Sequence, residues 1–196
     1  MEDTAEIRTF VKANPFGMLL SNGRQVSDVT HLPLQLMTDE EGNDSINIHL
    51  SKANPHTKVL ENGVSALAVF LGTNGYISPR WYAEKYNVPT WNYTAVHAFG
   101  TLRKIDNEDE LMQLVDQLTI EHEADAESPW SEDWLVEKTD KILNVIVGFE
   151  LKVERWEGKK KIGQNRSAED QASLKRNLEK SIEPTYQFLA QQMKTN

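Results

Sequence analysis

The strongest constraint in this sequence is a series of short apolar segments that follow one another too closely for helical crossovers. About six segments before residue 106 have the alternating or continuous apolar pattern of β-strands. They are Phe16–Ser21, Val26–Met37, Ile46–Leu50, Ser65–Leu71, Tyr76–Ser78 and Trp91–Ile105. Parallel strands need connections of a dozen or more residues, whereas most of these segments are joined by short turns. This half of the chain therefore predicts an antiparallel sheet that is closed, or nearly closed, into a barrel.

Turn-forming residues mark the ends of several of these segments. Asn22 and Gly23 form the dipeptide that is typical of a tight β-hairpin. Pro33 lies inside a strand-like segment, which places that segment at an edge, a bulge or a strand end, because proline has no amide hydrogen to donate. Gly72 and Gly75 separate two apolar runs, so we expect two strands there rather than one.

Helical patterns flank the predicted sheet. The predicted helices are Glu2–Lys12, one that begins after the N-cap Asn107, Trp134–Ile146, and one that is capped by Ser167 and interrupted by Pro184. Phe149–Val153 alternates and predicts a strand that rejoins the barrel and ends at Gly158. We therefore expect a barrel domain over 1–166 with a helical insertion over 107–146, and a C-terminal helical extension over 167–196.

Composition excludes several classes of protein. The 196 residues include no cysteine, which rules out disulfides, thiol catalysis and cysteine-ligated metals. The net charge of −9 disfavours a simple nucleic-acid binder, because phosphate neutralisation needs a surplus of Lys and Arg. The first residues are acidic, unlike a signal peptide, and the apolar run Val64–Ile77 is too short to span a bilayer. We expect a soluble cytoplasmic protein with no membrane segment.

Several catalytic motifs are absent from the sequence. There is no G-x-S-x-G elbow, no Walker phosphate loop and no G-x-G-x-x-G after a strand. His122-Glu123 is not followed by a second histidine one helical turn later, which excludes the zinc-protease helix. The sequence therefore identifies no catalytic residue.

Four segments concentrate residue types that a structural role does not readily explain. They are Val29–Pro33, His49–His56, Tyr76–Tyr93 and Glu157–Arg166. The last places four basic residues within eight positions, either as a phosphate-binding loop or as a solvated turn. The aromatic residues of the third segment either stack on a planar ring or plug a small barrel.

Three histidines and an Asn-Pro pair each have a possible ligand-binding role and a possible structural role. His31, His49 and His97 lie in predicted strands and could converge on zinc or haem, although a single strand histidine is more often structural. Asn54-Pro55 suits either the start of a helix or a polar clamp on a ligand, and its spacing does not distinguish the two. No metal site is expected.

Motifs in these same segments resemble the PaiB family, the FMN-binding negative transcriptional regulators of the FMN-binding split-barrel class. The matching stretches are Asn14–Gly17, His31–Leu34, His49–Pro55, Tyr76–Tyr82, Val88–His97, Val147–Glu150 and the Gly-Lys-x-Lys-x-x-Gln-Asn-Arg run that ends at Arg166. They lie in the family's order and extend over nearly all of the chain up to about residue 170. One departure is Gly163, where the family motif usually has serine.

The resemblance implies a mainly β fold with flanking helices, a six-stranded antiparallel split barrel, and a helical C-terminal part. It also implies a homodimer that binds FMN in the groove between its subunits. The expected phosphate ligands from the strand-and-turn region are Thr30, His31, Ser51, Asn54 and Lys58. A second expected set, from the other side or the other subunit, is Gln164, Asn165 and Arg166. The residues expected to flank or hydrogen-bond the flavin ring are Trp91, Asn92 and Tyr93.

Three functions remain open at this point. The first is negative transcriptional regulation that acts through flavin binding or through partners, with direct DNA contact disfavoured by the net charge. The second is an FMN-dependent oxidoreductase, a flavin reductase or oxidase, whose only plausible acid–base or cationic groups are His31, His97 and Arg80. The third is a haem-binding or haem-degrading barrel that uses one histidine as an axial ligand.

Overall fold

The computed structural model describes residue 1 and residues 3–23, 26–123 and 139–193. The strands are β1 (Phe16–Ser21), β2 (Asp28–Pro33), β3 (Gln35–Thr38), β4 (Asp44–Ser51), β5 (Ser65–Ile77), β6 (Thr90–Ile105) and β7 (Ile146–Lys161). The α-helices are α1 (Thr4–Ala13), α2 (Glu108–Glu123), α3 (Thr139–Val145), α4 (Ala168–Glu179) and α5 (Pro184–Gln192). Short 3₁₀ helices cover Pro55–Lys58 and Pro79–Trp81.

The described strands form one seven-stranded sheet in the order β2-β1-β5-β6-β7-β4-β3. β1 pairs antiparallel with β2 from Phe16↔Pro33 to Ser21↔Asp28. β4 pairs antiparallel with β7, with Ser51 opposite Ile146 at one end of the ladder. The mainly β, antiparallel fold is thus confirmed, with seven strands where six were expected.

The segment Val26–Met37 forms two strands rather than the single strand that its alternation predicts. β2 pairs with β1, whereas β3 pairs with β4, so the chain changes partner between Pro33 and Gln35. Pro33 has no amide hydrogen for a continuing ladder, and the amide of Leu34 donates instead to the carbonyl of Pro15 at 2.8 Å. The connection from β1 to β2 covers six residues (22–27) and is not the tight hairpin expected from Asn22-Gly23.

Glycines that were expected to end strands lie inside them. β5 continues through Gly72 and Gly75, where a Cβ atom would lie 2.4 Å from Thr94 Oγ1 and 2.4 Å from Tyr186 Cε1 respectively. These glycines allow close packing and do not break the strand. Likewise β7 continues through Gly158 to Lys161, so the strand end predicted at Gly158 is wrong.

The predicted helix caps are confirmed. The amide of Glu110 donates to Asn107 Oδ1 at 2.9 Å before α2, and the amide of Asp170 donates to Ser167 Oγ at 3.2 Å before α4. Pro184 separates α4 from α5, as its missing amide hydrogen predicts. The helix expected over Trp134–Ile146 is described only from Thr139, and the rest of that prediction lies outside the described residues.

The chain divides into two compact units, each with its own buried residues. Unit 1 comprises Met1–Phe10, Leu71–Val96 and Glu157–Asn196, and unit 2 comprises Val11–Phe70 and His97–Trp156. The core of unit 1 includes Ile77, Ile162, Leu174, Leu178 and Leu189. The largest fully buried side chains of unit 2 include Leu19, Ile46, Ile48, Phe149 and Leu151. The domain boundary at residue 166 stays a prediction. None of the described helices has the length and apolarity needed to cross a membrane.

Replacing Gly100 should destabilise unit 2 strongly. A Cβ on Gly100 would lie 1.9 Å from the carbonyl oxygen of Lys152 on the neighbouring strand, so backbone must move. We expect Gly100→Ala to lower the free energy of unfolding by about 3 kcal/mol in urea titrations. Gly42→Ala is the control, because Gly42 has a φ of +85° in open space and should cost only about 1 kcal/mol. Equal losses for the two variants would contradict this packing argument.

Candidate functional site

A cluster of polar side chains in unit 2 joins β1, β2 and the loop after β4. The loop is a tight turn, since Ser51 Oγ accepts from the amide of Ala53 at 3.2 Å. Asn54 Oδ1 then accepts from the amide of His56 at 3.0 Å and caps the short 3₁₀ helix that begins at Pro55. Proline suits that first position because its missing amide hydrogen would have no partner there. The Asn-Pro pair therefore fixes the direction in which both Asn54 and His56 project.

His56 is the buried centre of this cluster. Its side chain is 3% exposed, with Nε2 2.9 Å from Ser21 Oγ and Nδ1 2.8 Å from Thr30 Oγ1. Asn54 Nδ2 donates to the same Thr30 oxygen at 3.3 Å. Burial lowers the pKa of His56, and the carboxylate of Asp28 opposes that effect. We call Ser21, Thr30, Asn54 and His56 the Thr30–Asn54 cluster.

The structure thus brings two of the predicted phosphate ligands together, Thr30 and Asn54, and both are half-buried. Ser51 and Lys58 are exposed on the same loop and its 3₁₀ helix. His31 is exposed and follows Thr30 directly in β2, so alternation places the two side chains on opposite faces of the strand. His56 was missed as a site residue, because a single loop histidine carries no periodic signal.

The residues expected beside the flavin ring lie in unit 1, at the start of β6. Trp91 is 57% exposed and meets Tyr76 edge-to-face, with the ring centroids 6.3 Å apart. Tyr93 is half-buried. Asn92 is 2% exposed, and its Nδ2 donor has no hydrogen-bond partner among the residues that the structure describes. A buried donor of this kind costs roughly 1–3 kcal/mol unless a ligand or water satisfies it, so it fits an acceptor that arrives from outside the chain.

The second predicted phosphate set also lies in unit 1, where two of its members are already engaged. Gln164 closes a turn by accepting from the amide of Ile162 at 2.9 Å and donating to the carbonyl of Lys160 at 2.5 Å. Arg166 donates from Nη1 to Asn87 Oδ1 at 2.8 Å and lies over the Tyr82 ring, 4.9 Å from its centroid. Asn165 is exposed.

Gly163 explains how this turn approaches Asn92. Its φ of +80° lies in the left-handed region, which favours glycine. A Cβ at this position would be 3.9 Å from Asn92 Nδ2. The same Cβ would be 3.4 Å from Leu174 Cδ2, so the turn at Gly163 packs between Leu174 and Asn92.

Unit 2 also contains a cavity of about 680 Å³ beneath α2, which sequence reasoning did not find. Four acidic and two basic side chains line it: Asp39, Asp44, Glu110, Glu150, Arg103 and Lys152. Arg103 binds both Glu110 and Glu150, and its hydrogen bond to Glu110 lowers the pKa of that carboxyl. The surplus of carboxylates makes this cavity unfavourable for a phosphate.

The histidine alternative for metal binding gains no support from the geometry. Within residues 3–23, 26–123 and 139–193, no group of three or more His, Asp or Glu side chains is arranged to hold a metal ion. His31, His49 and His97 therefore do not form such a group.

Comparison with known proteins decides the family. Residues 1–155 match the family model described as "Putative FMN-binding domain". The chain belongs to this FMN-binding family. It is also 32% identical over 192 residues to the protein "Protease synthase and sporulation protein PAI 2" of Bacillus subtilis (strain 168), across 96% of this chain and 90% of that one. The resemblance to PaiB is thereby confirmed, and FMN is the cofactor that the family assigns.

Solved structures of two other proteins share the mainly β antiparallel fold of this FMN-binding family member. The FAD and haem binding protein of Mycobacterium smegmatis has a TM-score of 0.63 at 18% identity, across 82% of this chain and 72% of that one. The flavocytochrome Anf3 of Azotobacter vinelandii has a TM-score of 0.60 at 15% identity, across 82% and 68%. At these identities the likeness shows the fold alone.

The buried histidines should make stability depend on pH. Burial lowers the pKa of His56 and His49 from the ordinary value of 6.5, so protons bind more tightly to the unfolded chain. This stability is present above about pH 6.5 and is lost as the pH falls through the folded pKa values. We expect His56→Gln to flatten the fall of unfolding free energy in urea titrations between pH 7.5 and 5. His31→Gln, at an exposed histidine, should keep the full fall, and equal slopes for His56→Gln and the wild type would contradict this account.

Proposed function

We propose that this protein binds FMN with the phosphate held at the Thr30–Asn54 cluster. The observation that carries the proposal is the contact of Thr30 and Asn54 beside buried His56. Thr30 and Asn54 are half-buried, and exposed Ser51 and Lys58 on the same loop add a hydroxyl and an ammonium group. A phosphate dianion needs fixed hydrogen-bond donors and positive charge of this kind. The carboxylate-rich cavity under α2 is disfavoured for the same reason.

The flavin ring is proposed to contact Trp91, Asn92 and Tyr93. Trp91 offers an exposed aromatic surface, and Asn92 offers a buried donor with no partner within the described residues. The ring nitrogens and carbonyl oxygens of a flavin are suitable acceptors for such a donor. Bound FMN would supply redox chemistry, while these residues would bind and orient it. Asn165 and Arg166 remain proposed as further ligands, and homodimerisation is proposed to complete the groove.

We infer that its biological role is negative transcriptional regulation in the cytoplasm, exerted through the flavin or through a partner protein. The similarity to "Protease synthase and sporulation protein PAI 2", whose name refers to sporulation, supports a regulatory role. The net charge of −9 disfavours direct contact with DNA. The basic run 159–161 adds little to the attraction for DNA phosphates, because Lys160 pairs with Glu6 at 2.9 Å and Lys161 donates to Thr90 at 2.6 Å. Two of its three ammonium groups are therefore engaged within the chain.

Loss of the cluster's donors should weaken FMN binding without affecting riboflavin. We expect Thr30→Val and Asn54→Ala each to raise the Kd for FMN by about 10-fold or more, since a hydrogen bond to a charged group contributes about 1.5–3 kcal/mol. Flavin fluorescence titration measures both ligands. Riboflavin has no phosphate, so its weaker affinity should not change.

Thr38→Val is the matched control for this experiment. Thr38 belongs to the same unit, but its hydroxyl donates to Asp44 Oδ1 at 2.7 Å, outside the cluster. The Thr38→Val substitution should leave the Kd for FMN unchanged. Equal wild-type affinity for FMN and riboflavin, or equal weakening by Thr38→Val, would refute the proposed phosphate site. Bleaching of the bound flavin by NAD(P)H would instead favour the oxidoreductase alternative.

A further inference from the structure

The surroundings of His56 suit both of its charge states. Both ring nitrogens face hydroxyl oxygens, Ser21 Oγ at 2.9 Å and Thr30 Oγ1 at 2.8 Å. A hydroxyl can donate to an unprotonated ring nitrogen or accept from a protonated one. Rotation of two hydroxyl groups is therefore enough to keep the ring fully hydrogen-bonded when its charge changes. A buried charge is costly because it loses its hydration, and hydrogen bonds from the surroundings offset part of that cost.

The orientation of Asn54 connects this ring to the ligand side of the cluster. Asn54 Oδ1 accepts from the amide of His56 at 3.0 Å, which fixes the side-chain amide so that Nδ2 faces Thr30. Thr30 Oγ1 accepts from that Nδ2 and has a single hydroxyl proton. When His56 is an imidazolium, Nδ1–H donates to Thr30 Oγ1, and the hydroxyl proton is free to donate to an anion. In the neutral ring only the Nδ1–H tautomer does this, whereas the imidazolium always does, so protonation ensures that Thr30 can act as an anion donor.

The charges around His56 favour protonation of the ring only when an anion is bound at Thr30. Burial holds the ring neutral in the free protein, and it outweighs Asp28 on β2, the charged group that favours protonation. Ser21 on β1 and Thr30 on β2, which face the ring nitrogens, are uncharged, and Lys58 is an exposed cation on the same 3₁₀ helix. A dianion on Thr30 and Asn54 would be separated from the ring by one hydroxyl. It would supply the counter-charge that the buried imidazolium otherwise lacks.

We propose that a phosphate monoester binds at the Thr30–Asn54 cluster together with one proton, which is taken up by His56. This inference rests on the proposed phosphate position. The proton goes from solvent or buffer to the unprotonated ring nitrogen, and no covalent bond in the ligand is broken. His56 thereby provides positive charge at the site only while the phosphate is bound. By linkage, affinity for the phosphate ester rises as the pH falls, until the ester itself is protonated near its second pKa of about 6.

Calorimetric titration with FMN in two buffers of different ionisation enthalpy, Tris and PIPES, measures this proton uptake. At pH 7.5 the difference in binding enthalpy gives the number of protons taken up per FMN. We expect a net uptake that approaches one proton for wild-type protein and for His122→Gln, at an exposed histidine in the last turn of α2, and none for His56→Gln. As the pH rises from 6.5 to 8.5, the wild-type affinity for FMN should fall by up to about tenfold per pH unit. The affinity of His56→Gln should change far less, as should binding of riboflavin to any variant.

The outcomes separate this inference from the proposed function. If FMN binds more tightly than riboflavin but no proton is taken up, the inference is overturned and the phosphate site stands. If His56→Gln takes up as many protons as the wild type, another group is responsible and the inference is again overturned. If FMN and riboflavin bind alike, the proposed phosphate site itself is wrong. Should His56→Gln fail to fold, nitrogen NMR of the His56 ring in wild-type protein decides the matter. An imidazolium that appears on FMN addition at pH 7.5 supports the proposal, and a ring that stays neutral refutes it.

Discussion

The hydrogen bonds of His56 to Ser21 and Thr30 hold the candidate phosphate site together. These hydrogen bonds attach the loop that carries His56 to β1 and β2, two strands that pair with each other. Because the ring is almost fully buried, the loss of either partner would leave a polar atom without a hydrogen bond in a dry environment. Asn54 adds rigidity by bonding both the backbone of His56 and the hydroxyl of Thr30. A donor set of this kind is preorganised and needs little reordering to receive an anion.

An acidic protein that binds a phosphate ester needs hydrogen-bond donors or positive charge at the binding site itself, because its net charge repels the anion. The overall charge of −9 repels anions, and lysines 160 and 161 are already occupied by Glu6 and Thr90. In the cavity under α2, Arg103 is likewise neutralised by Glu110 and Glu150. The proposed site at the Thr30–Asn54 cluster would use neutral donors, exposed Lys58 and a histidine that can acquire charge. Such an arrangement would bind an anion locally without making the surface attractive to nucleic acid.

Much of the fold was predictable because strand alternation and helix caps are local signals. The strands at Phe16–Ser21 and Trp91–Ile105 and the caps at Asn107 and Ser167 follow from residues next to one another in sequence. Long-range packing was not predictable: Gly72 lies inside a strand because Thr94 leaves no space for a side chain there. The site shows the same division. The family resemblance implied Thr30 and Asn54 as ligands, whereas the contacts of His56 and Gln164 depend on partners that the tertiary fold and a local turn supply.

A crystal structure of the FMN complex would test most directly the claim that Thr30 and Asn54 bind the phosphate. The account predicts a phosphate oxygen within about 2.5–3.0 Å of Thr30 Oγ1 and another at hydrogen-bond distance from Asn54 Nδ2. Both contacts should be present in the wild-type complex at neutral pH. A phosphate that touches neither side chain, for example one bound only by residues 164–166 or in the cavity beneath α2, would contradict the account.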